Sequence, residues 1–480
     1  MNIVLEPGAA ALLDALHRAG FGAYAVGGCV RDSLLGLAPH DWDLCTAARP
    51  GQVMELFGED RCIPTGLQHG TVTVKRDGKL YEITTFRTEG RYSDGRHPDS
   101  VAFVPDLRED LARRDFTINA MAYSAEEGLC DPFGGREDLA RGVVRAVGEP
   151  LRRFGEDALR ILRLYRFAAR FGFAIDPATG AAARALGPHL DCVSAERIQE
   201  ELLKLLAAPR PGRYLEPAVL AVVLPELELE KQPERFAELC RTIDRIEPTA
   251  ENVPARLAAL LWPLGEAGAR KALRKLKCSN ALTDEVTALV GEGVGSFLLP
   301  RSRDRWAGSS SEDRPLGWDP AAAGSRAGDG MACNSNDRRQ WRMQEVAVGA
   351  AASDTQAMRS GCWEPQPELV SDQTLMAKRL LGRYELPTIQ RLTALCSARH
   401  PEQAEAFAAL RAEAEQLTAE NACCRVSQLA VNGRDLMAAG VRPGPGLRQV
   451  LNALLEAVIT GQTPNEKDAL LAAAAQFSAS

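Results

Sequence analysis

The chain has 480 residues, of which 45% are hydrophobic and 25% are charged, and its formal net charge is −7. That length indicates roughly three or four domains, while the composition is typical of a soluble globular protein and excludes a disordered or fibrous one. No apolar run approaches the ~20 residues of a membrane span, and the negative charge means that a polyanionic partner must be held by local basic patches.

The N-terminal segment does not have the composition of a secretory signal. A glutamate stands at position 6, and the first twenty residues are amphipathic without a basic region. The twelve cysteines include no C-x-x-C motif and one adjacent pair, Cys423 and Cys424, which favours reduced thiols over a disulfide framework or a zinc site. We therefore expect a cytoplasmic protein.

The first 150 residues alternate between helical and strand patterns. The periodicity predicts a helix over residues 8–19, a strand at AYAV, a helix opening with VRDSLLG and a second strand at DWDLC. Further along, TVTVK and LYEITTF flank Asp77 and Gly78, a strong signal for a hairpin turn. From about Glu149 onward the pattern becomes helical. The sequence therefore predicts an α+β head, with a mixed sheet and helices, followed by an all-helical remainder.

Two glycines separate the first predicted strand from the helix that follows it. Gly27 and Gly28 permit a tight turn and let a phosphate group approach the backbone N–H groups at the helix start. Arg31, in the first turn of that helix, is placed to supply a cation to the same phosphates. The turn alone is also compatible with a purely structural role, and its spacing is not that of a dinucleotide-binding motif.

Two carboxylates follow in the next predicted strand. Asp41 and Asp43 are two residues apart, so in a strand their side chains point to the same side. Carboxylates so placed repel each other and favour a divalent cation between them, and Mg²⁺ prefers oxygen ligands shared with substrate phosphates. The pair therefore suggests two-metal phosphoryl transfer, although an isolated D-x-D is usually a solvated strand end.

Seven motifs between residues 26 and 206 carry a resemblance to a known family. They are VGGCVRDSLLG with HDWDLCTAARP, PTGLQHGTVTV, YEITTFRTEGRYSDGRHPDSVAFV, EDLARRDFTINAMAY, DPFGGREDL, RFGEDALRILRLYRFAARFGF and VSAERIQEELLKLL. Their order resembles that in bacterial CCA-adding enzymes, the tRNA nucleotidyltransferases of the poly(A) polymerase head-domain family. The resemblance implies template-independent addition of C, C and A to the 3′ end of tRNA from CTP and ATP, by two-metal-ion transfer with release of pyrophosphate.

A row of charged residues fits the need of such an enzyme to choose nucleotides without a template. Asp157, Arg160, Arg163 and Arg166 stand at three-residue spacing on a helix predicted from about Glu156. Cytosine and adenine each present an amino donor beside a ring-nitrogen acceptor, which an accepting Asp157 and a donating Arg160 would match. Uracil and guanine present the reverse polarity. The resemblance assigns these two positions the same role.

Other roles follow from the resemblance alone. It implies triphosphate contacts at Gly28 and Arg31, Mg²⁺ ligands at Asp41 and Asp43, and further nucleotide contacts at Arg114, Arg163 and Arg166. Glu82, on a neighbouring predicted strand, is a candidate third carboxylate that would help to activate the attacking 3′-hydroxyl; an exposed strand residue is the alternative. The implied partners are tRNA, CTP and ATP, with Mg²⁺ as cofactor, and a homodimer is left open.

Two segments lack sustained periodicity. Residues 87–101 are rich in turn formers and charges and predict a mobile loop. The resemblance links the presence of such a loop to addition of the terminal A. Residues 301–368 depart from the family pattern, and we interpret them as a disordered insertion or a stretch translated in a displaced reading frame. The predicted domains are a head (1–148), a helical neck (149–206), a helical body (207–300), this anomalous segment and a helical, tRNA-binding tail (369–480).

Three functions remain open at this point. The first is full CCA addition, and the second is poly(A) polymerase or a CC-only or A-only enzyme of the same family. A poly(A) polymerase typically has a basic C-terminal extension, whereas this chain ends in LLAAAAQFSAS. The third is a catalytically impaired RNA-binding protein, against which the intact Asp41, Asp43 and Asp157 argue.

Overall fold

Short apolar segments of the first 130 residues form one seven-stranded sheet. The computed structural model describes residues 3–90, 101–295 and 371–478. Its strands are β1 (Ala23–Val26), β2 (Leu44–Thr46), β3 (Cys62–Gly66), β4 (Thr71–Arg76), β5 (Lys79–Thr85), β6 (Arg87–Glu89), β7 (Val101–Phe103), β8 (Ala122–Ser124), β9 (Gly128–Cys130), β10 (Val143–Val144) and β11 (Ala174–Ile175). The sheet order is β3-β4-β5-β2-β1-β8-β9. Within this seven-stranded sheet β2 and β5 pair in parallel and all other neighbours pair antiparallel, which confirms the predicted mixed sheet.

Helices pack against this sheet and, apart from the short pair β10 and β11, make up the regular structure that follows it in the described residues. They are α1 (Pro7–Arg18), α2 (Gly28–Leu34), α3 (Pro50–Phe57), α4 (Leu107–Ala112), α5 (Gly135–Arg141), α6 (Pro150–Glu156), α7 (Leu159–Phe171), α8 (Pro177–Leu186), α9 (Ala195–Leu206), α10 (Pro217–Val223), α11 (Pro233–Arg245), α12 (Val253–Leu261), α13 (Gly265–Lys275), α14 (Asn280–Gly295), α15 (Asp372–Arg383), α16 (Leu386–Arg399), α17 (Ala404–Ala419), α18 (Gly433–Ala438), α19 (Pro445–Ile459) and α20 (Lys467–Ser478). After β11 the described residues contain no further strand, so the predicted fold class is confirmed.

Strand β1 is covered on both of its faces. Ala23 and Ala25 belong to the main hydrophobic core, whereas Tyr24 and Val26 belong to a second cluster. Successive side chains of a strand point to opposite faces, so both faces of the sheet are packed at this point. This explains why AYAV reads as a continuous apolar run rather than an alternating one.

The hairpin predicted at Asp77 and Gly78 is present. It joins β4 to β5, with Arg76 paired with Lys79 across the turn. Asp77 has a φ of 50° and Gly78 a φ of 76°, and a two-residue hairpin turn with positive φ at both positions follows the twist of the strands. Asp and Gly accept this conformation readily, so the local sequence was sufficient to predict the turn.

The prediction that Asp41 and Asp43 lie within a strand is wrong. β2 begins at Leu44, and both aspartates lie in the segment before it. The Asp43 carbonyl still accepts the Val26 N–H at 2.9 Å, so the ladder with β1 continues one residue beyond the strand. Asp41 lies outside this pairing, and its side chain is 82% exposed.

The two ends of the predicted loop at 87–101 are ordered. β6 and β7 pair antiparallel, with Arg87 opposite Phe103 and Glu89 opposite Val101. These ends form a separate two-stranded sheet, so the prediction of a loop over the whole range is wrong at both ends. Residues 91–100, and the segment at 301–368, lie outside the described residues.

Helix α7 separates an apolar core from a row of arginines. Ile161, Leu164 and Ala168 are fully buried and belong to the main core.

The prediction that Asp157 belongs to this helix is wrong, because α6 ends at Glu156 and α7 begins at Leu159. The Asp157 carboxylate accepts the Leu159 N–H at 3.0 Å, an interaction that competes with helix continuation.

A buried arginine joins three helices at one point in the body. Arg256 is 0% exposed and donates to the carbonyl oxygens of Leu206 (2.7 Å), Ala208 and Ile246 (3.1 Å from Nε). Replacing it with methionine leaves these buried acceptors without a donor. We expect Arg256→Met to lower the free energy of unfolding by about 3 kcal/mol, measured by urea denaturation.

An exposed arginine provides the control for this prediction. Arg241 is 59% exposed and pairs with Glu238 on the surface of α11. Arg241→Met should change the free energy of unfolding by less than about 0.5 kcal/mol. Equal effects of the two substitutions would contradict a bridging role for Arg256.

The C-terminal helices have a small core of their own. Leu436, Leu454 and Leu470, from α18, α19 and α20, are 0% exposed and pack in a third hydrophobic cluster. Across residues 3–90, 101–295 and 371–478, no helix combines the length and the apolar character that crossing a membrane requires.

Candidate active site

A cleft of about 580 Å³ lies where α2 and the segment before β2 face α7 and α9. Nine arginines and three aspartates line it, so the excess of positive charge suits a polyanion. Of the ten predicted site residues, only Asp41 and Glu82 are absent from the lining. The lining residues are Gly27, Gly28, Arg31, Asp43, His69, Arg87, Arg113, Arg114, Asp115, Asn119, Asp157, Leu159, Arg160, Arg163, Arg166, Phe167, Arg170 and Arg197.

The glycine turn brings backbone and guanidinium groups together. Gly27 has a φ of 79°, a conformation that side chains rarely adopt, and a Cβ there would lie 3.0 Å from Nη1 of Arg114. Gly28 is the first residue of α2, and a Cβ on it would lie 3.6 Å from Nη2 of Arg31. The turn therefore lies beside two cations, Arg31, which the sequence placed there, and Arg114, which it did not link to the turn.

Arg31 lines the cleft but is firmly held by the protein. It is 4% exposed, donates from Nε to Asp32 at 2.8 Å and from Nη1 to Asn119, and lies over the rings of Phe167 and Phe171. Burial lowers the pKa of this guanidinium, and the Asp32 carboxylate opposes that effect. Arg31 thus presents a fixed positive charge at the cleft wall.

Asp43 and Glu82 are neighbours across the parallel strands. Leu44 pairs with Ile83, so the preceding residues stand next to each other, Asp43 just before β2 and Glu82 on β5. Part of the Asp43 side chain is exposed, but the surrounding protein displaces water from the carboxyl, and this loss of solvation raises its pKa. The negative charges of Glu82 and, to a lesser degree, Asp41 add to this rise. Asp43 therefore interacts electrostatically with both of the other predicted carboxylates, more strongly with Glu82 than with Asp41.

Asp157 and Arg160 both line the cleft, but each has its own partner. Arg197 of α9 donates from Nη2 to Oδ2 of Asp157 at 2.8 Å. Arg160 donates from Nη1 to Oε2 of Glu156 at 2.8 Å and from Nη2 to the Arg113 carbonyl at 3.1 Å. The two predicted base-reading groups therefore line the same cleft, and a different neighbouring residue holds each of them.

Arg163 and Arg166 continue the arginine row, and buried carboxylates hold both. Arg163 donates from Nε (2.9 Å) and Nη2 (2.6 Å) to Oδ2 of Asp115. Burial opposes ionisation of Asp115, yet the Arg163 guanidinium keeps the pKa of this carboxyl well below its usual value. Arg166 pairs through Nε with Glu201 at 2.8 Å. The row is therefore a set of fixed ion pairs rather than a solvated basic face.

Sequence reasoning missed several residues that line or support the cleft. Asp115 and Asn119 follow Arg114 in RRDFTIN, and they hold Arg163 and Arg31 respectively. Arg197 lies in SAERIQEE beside an apolar stripe that begins with the buried Ile198. A charged residue beside the buried face of an amphipathic helix is the signal that would have identified it.

Three family models match the chain. The Poly A polymerase head domain matches residues 23–145, and tRNA nucleotidyltransferase domain 2 matches residues 377–474. A model described as an RNA- and SrmB-binding site of polymerase A matches residues 172–229. The head-domain match contains the glycine turn, the carboxylates and Arg114. Fold and site thus define a nucleotidyltransferase with a poly(A) polymerase head.

Curated relatives and a solved structure narrow this class. A CCA-adding enzyme of Limosilactobacillus fermentum is 33% identical over 469 residues, which cover 97% of this chain and 96% of that enzyme. One from Geobacillus stearothermophilus is 42% identical over 282 residues, 58% of this chain and 68% of that enzyme. The crystal structure of the Bacillus stearothermophilus CCA-adding enzyme in complex with CTP is 29% identical, with a TM-score of 0.69 and 98% of each chain covered. The chain belongs to the family of CCA-adding enzymes, which generally use a divalent metal ion.

Proposed function

We propose that this chain adds C, C and A to the 3′ end of tRNA from CTP and ATP, releases pyrophosphate and needs no nucleic-acid template. One observation carries the proposal beyond family membership. A single cleft runs from Asp43 to Asp157 and Arg160, so one nucleotide can meet the carboxylates with its phosphates and the base-reading pair with its base. We place the reaction in the cytoplasm, where tRNA and both nucleotides are available.

The base is selected by hydrogen-bond polarity. Asp157 accepts from the amino group of cytosine or adenine, and Arg160 donates to the neighbouring ring nitrogen. Both groups are mostly buried, since their side chains are 14% and 10% exposed. In such surroundings an unmatched carbonyl opposite a carboxylate is costly, which disfavours uracil and guanine.

The triphosphate is held by the arginines around the glycine turn. Gly28 lets the phosphates approach the backbone, and Arg31 and Arg114 both stand beside the turn. Arg163 and Arg166 extend the positive surface along α7. Because Asp115 and Glu201 fix these two cations in advance, little ordering is needed when the nucleotide binds.

The carboxylates fit a divalent cation, which we take to be Mg²⁺. In the described part of the chain no three His, Cys, Asp or Glu side chains converge into a metal cluster. Loss of solvation and, after it, the negative charges of Glu82 and Asp41 raise the pKa of Asp43. A bound cation would stabilise the ionised form against both effects, and all the donors are oxygen. Asp41 and Asp43 would hold Mg²⁺, which when bound favours ionisation of the 3′-hydroxyl and stabilises the leaving pyrophosphate. Glu82 acts as a third carboxylate beside them.

The deciding experiment supplies each of the four nucleotides, with Mg²⁺, to a tRNA lacking its 3′ CCA and to an unrelated RNA. Incorporation of two C and one A on the tRNA alone is the expected result. C without A would indicate a CC-adding enzyme, and A without C an A-adding one. A long A tail on either RNA would indicate poly(A) polymerase, and no incorporation on either would overturn the proposal.

Removal of residues 94–98 is expected to separate the two additions. These residues lie outside the described ranges, and the prediction rests on the family's link between this loop and addition of the terminal A. We expect the deletion of Asp94 to Pro98 to leave C addition largely intact and to abolish A addition, measured by product length on tRNA ending in C and CC. Equal loss of both activities would contradict it.

The division of labour along the chain is part of the proposal. The head (1–148) performs the chemistry, the neck (149–206) selects the base, and the tail (369–480) binds the tRNA. The match to tRNA nucleotidyltransferase domain 2 supports the assignment of the tail, because the matched residues, 377–474, lie within it.

A further inference from the structure

Helix α9 presents two opposite charges to the base-reading region, one turn apart. Arg197 contacts Asp157, with Nη2 at 2.8 Å from Oδ2 and Nη1 at 3.4 Å from Oδ1. Glu201 is 4% exposed and contacts Arg166. Residues four apart lie on the same face of a helix, so α9 is matched in charge to the row that it faces.

Asp157 depends on Arg197 for its orientation because no helix holds it. Its φ of −145° and ψ of 106° are extended, and it lies between the end of α6 and the start of α7. The one other bond of its side chain in the described structure is from the Leu159 N–H to Oδ1, at 3.0 Å. A bond to one oxygen still allows the carboxylate to turn, whereas the second bond, from Arg197 to Oδ2, fixes its plane.

The ion pair leaves Asp157 able to accept from a base. Each carboxylate oxygen has two acceptor positions. Leu159 N–H and Nη1 of Arg197 both donate to Oδ1, whereas Nη2 of Arg197 is the one donor to Oδ2 in the described structure, so Oδ2 keeps a position for a base. Arg160 is fixed independently, by Glu156 and by main-chain carbonyls. The two halves of the base-reading pair are thus held by two different helices, and their relative orientation depends on both.

We propose that Arg197 is a positioning residue for nucleotide selection, which fixes the Asp157 carboxylate so that it accepts from the amino group of cytosine or adenine. This role rests on the proposed function of Asp157. Arg197 acts through that carboxylate and not on the reacting phosphate. Its loss should therefore weaken the choice among bases more than the rate of transfer.

The test compares Arg197→Met and Arg197→Lys with Lys204→Met, a control on the same helix. Lys204 is 47% exposed and pairs with Glu200 on the surface. We expect Arg197→Met to raise the KM for CTP about 10-fold and to lower the preference for CTP over UTP by about 10- to 100-fold, while kcat changes less. Arg197→Lys, which keeps the positive charge but loses the planar fork of donors, should recover part of the preference, and Lys204→Met should match the wild type.

A double-mutant cycle separates failure of this inference from failure of the proposed function. If Arg197 acts through Asp157, the effects of Arg197→Met and Asp157→Asn on the CTP-to-UTP preference should not add. An unchanged preference in Asp157→Asn would mean that the base-reading proposal itself is wrong. A loss in Asp157→Asn but not in Arg197→Met would overturn the inference alone. So would equal loss of kcat with all nucleotides, since that marks a merely structural role. CTP and UTP dissociation constants, measured without RNA, give the same comparison if turnover is lost.

Discussion

Asp43→Asn is expected to lower kcat for nucleotide addition by about 10³-fold or more, because it removes a carboxylate charge where a divalent cation would be held. Asp43 is the predicted metal ligand that lines the cleft, and desolvation together with the charges of Glu82 and Asp41 already disfavours its ionisation. Asparagine keeps the shape of the side chain, so tRNA affinity should stay within a few-fold of the wild type. Single-turnover addition of C and filter binding of tRNA measure the two effects separately.

An exposed aspartate in the same domain provides the control. Asp14 is 67% exposed and pairs with Arg18 on the surface of α1, so Asp14→Asn should leave both measurements unchanged. Asp41, the second predicted metal ligand, does not line the cleft, and its side chain is 82% exposed. Asp41→Asn should also remove metal-dependent activity while sparing RNA binding. Unchanged turnover in Asp43→Asn would contradict the metal assignment.

The parts of the site that depend on local chemistry were predictable from the sequence. Positive φ at Gly27 and at Gly78 follows from what glycine tolerates, and the two turns fix where β1 meets α2 and where β4 meets β5. The alternation of apolar and polar segments was sufficient for the mixed sheet and for the helical remainder. Eight of the ten predicted site residues line one cleft, and three of them, Arg114, Arg163 and Arg166, were predicted from the family resemblance and not from local chemistry.

The remaining parts depend on pairings between residues far apart in the chain. Asp157 meets Arg197 across 40 positions, and Arg163 meets Asp115 across 48. A helical pattern continues through Asp157 in the sequence, but its carboxylate bonds the Leu159 N–H and interrupts the helix. Spacing along one helix predicts which residues share a face; it does not predict which carboxylate from another element neutralises each of them.

Asp157→Asn is expected to lower the preference for CTP over UTP by about 10²-fold, because an amide offers an acceptor and a donor where the carboxylate offers acceptors alone. The amino face of the asparagine can then meet the uracil carbonyl that the wild type rejects. Turnover with UTP, scored by the bases added to tRNA lacking CCA, measures the change. Since Asp157 does not touch the predicted metal ligands in the described structure, kcat with CTP should fall much less than in Asp43→Asn.

Asp157→Asn changes both the net charge and the hydrogen-bonding groups offered to the base. A second aspartate of the neck separates these two effects. Asp191 lies in the short turn after α8, is exposed, and has no side-chain partner among the described residues. Asp191→Asn makes the same change in net charge but should leave the preference unchanged. If Asp157→Asn instead lowers the incorporation of all four nucleotides equally, the carboxylate contributes to the fold of the neck and not to recognition of the base. The choice among bases would then rest on Arg160, whose guanidinium donates but cannot accept, and which therefore distinguishes bases only by their acceptors.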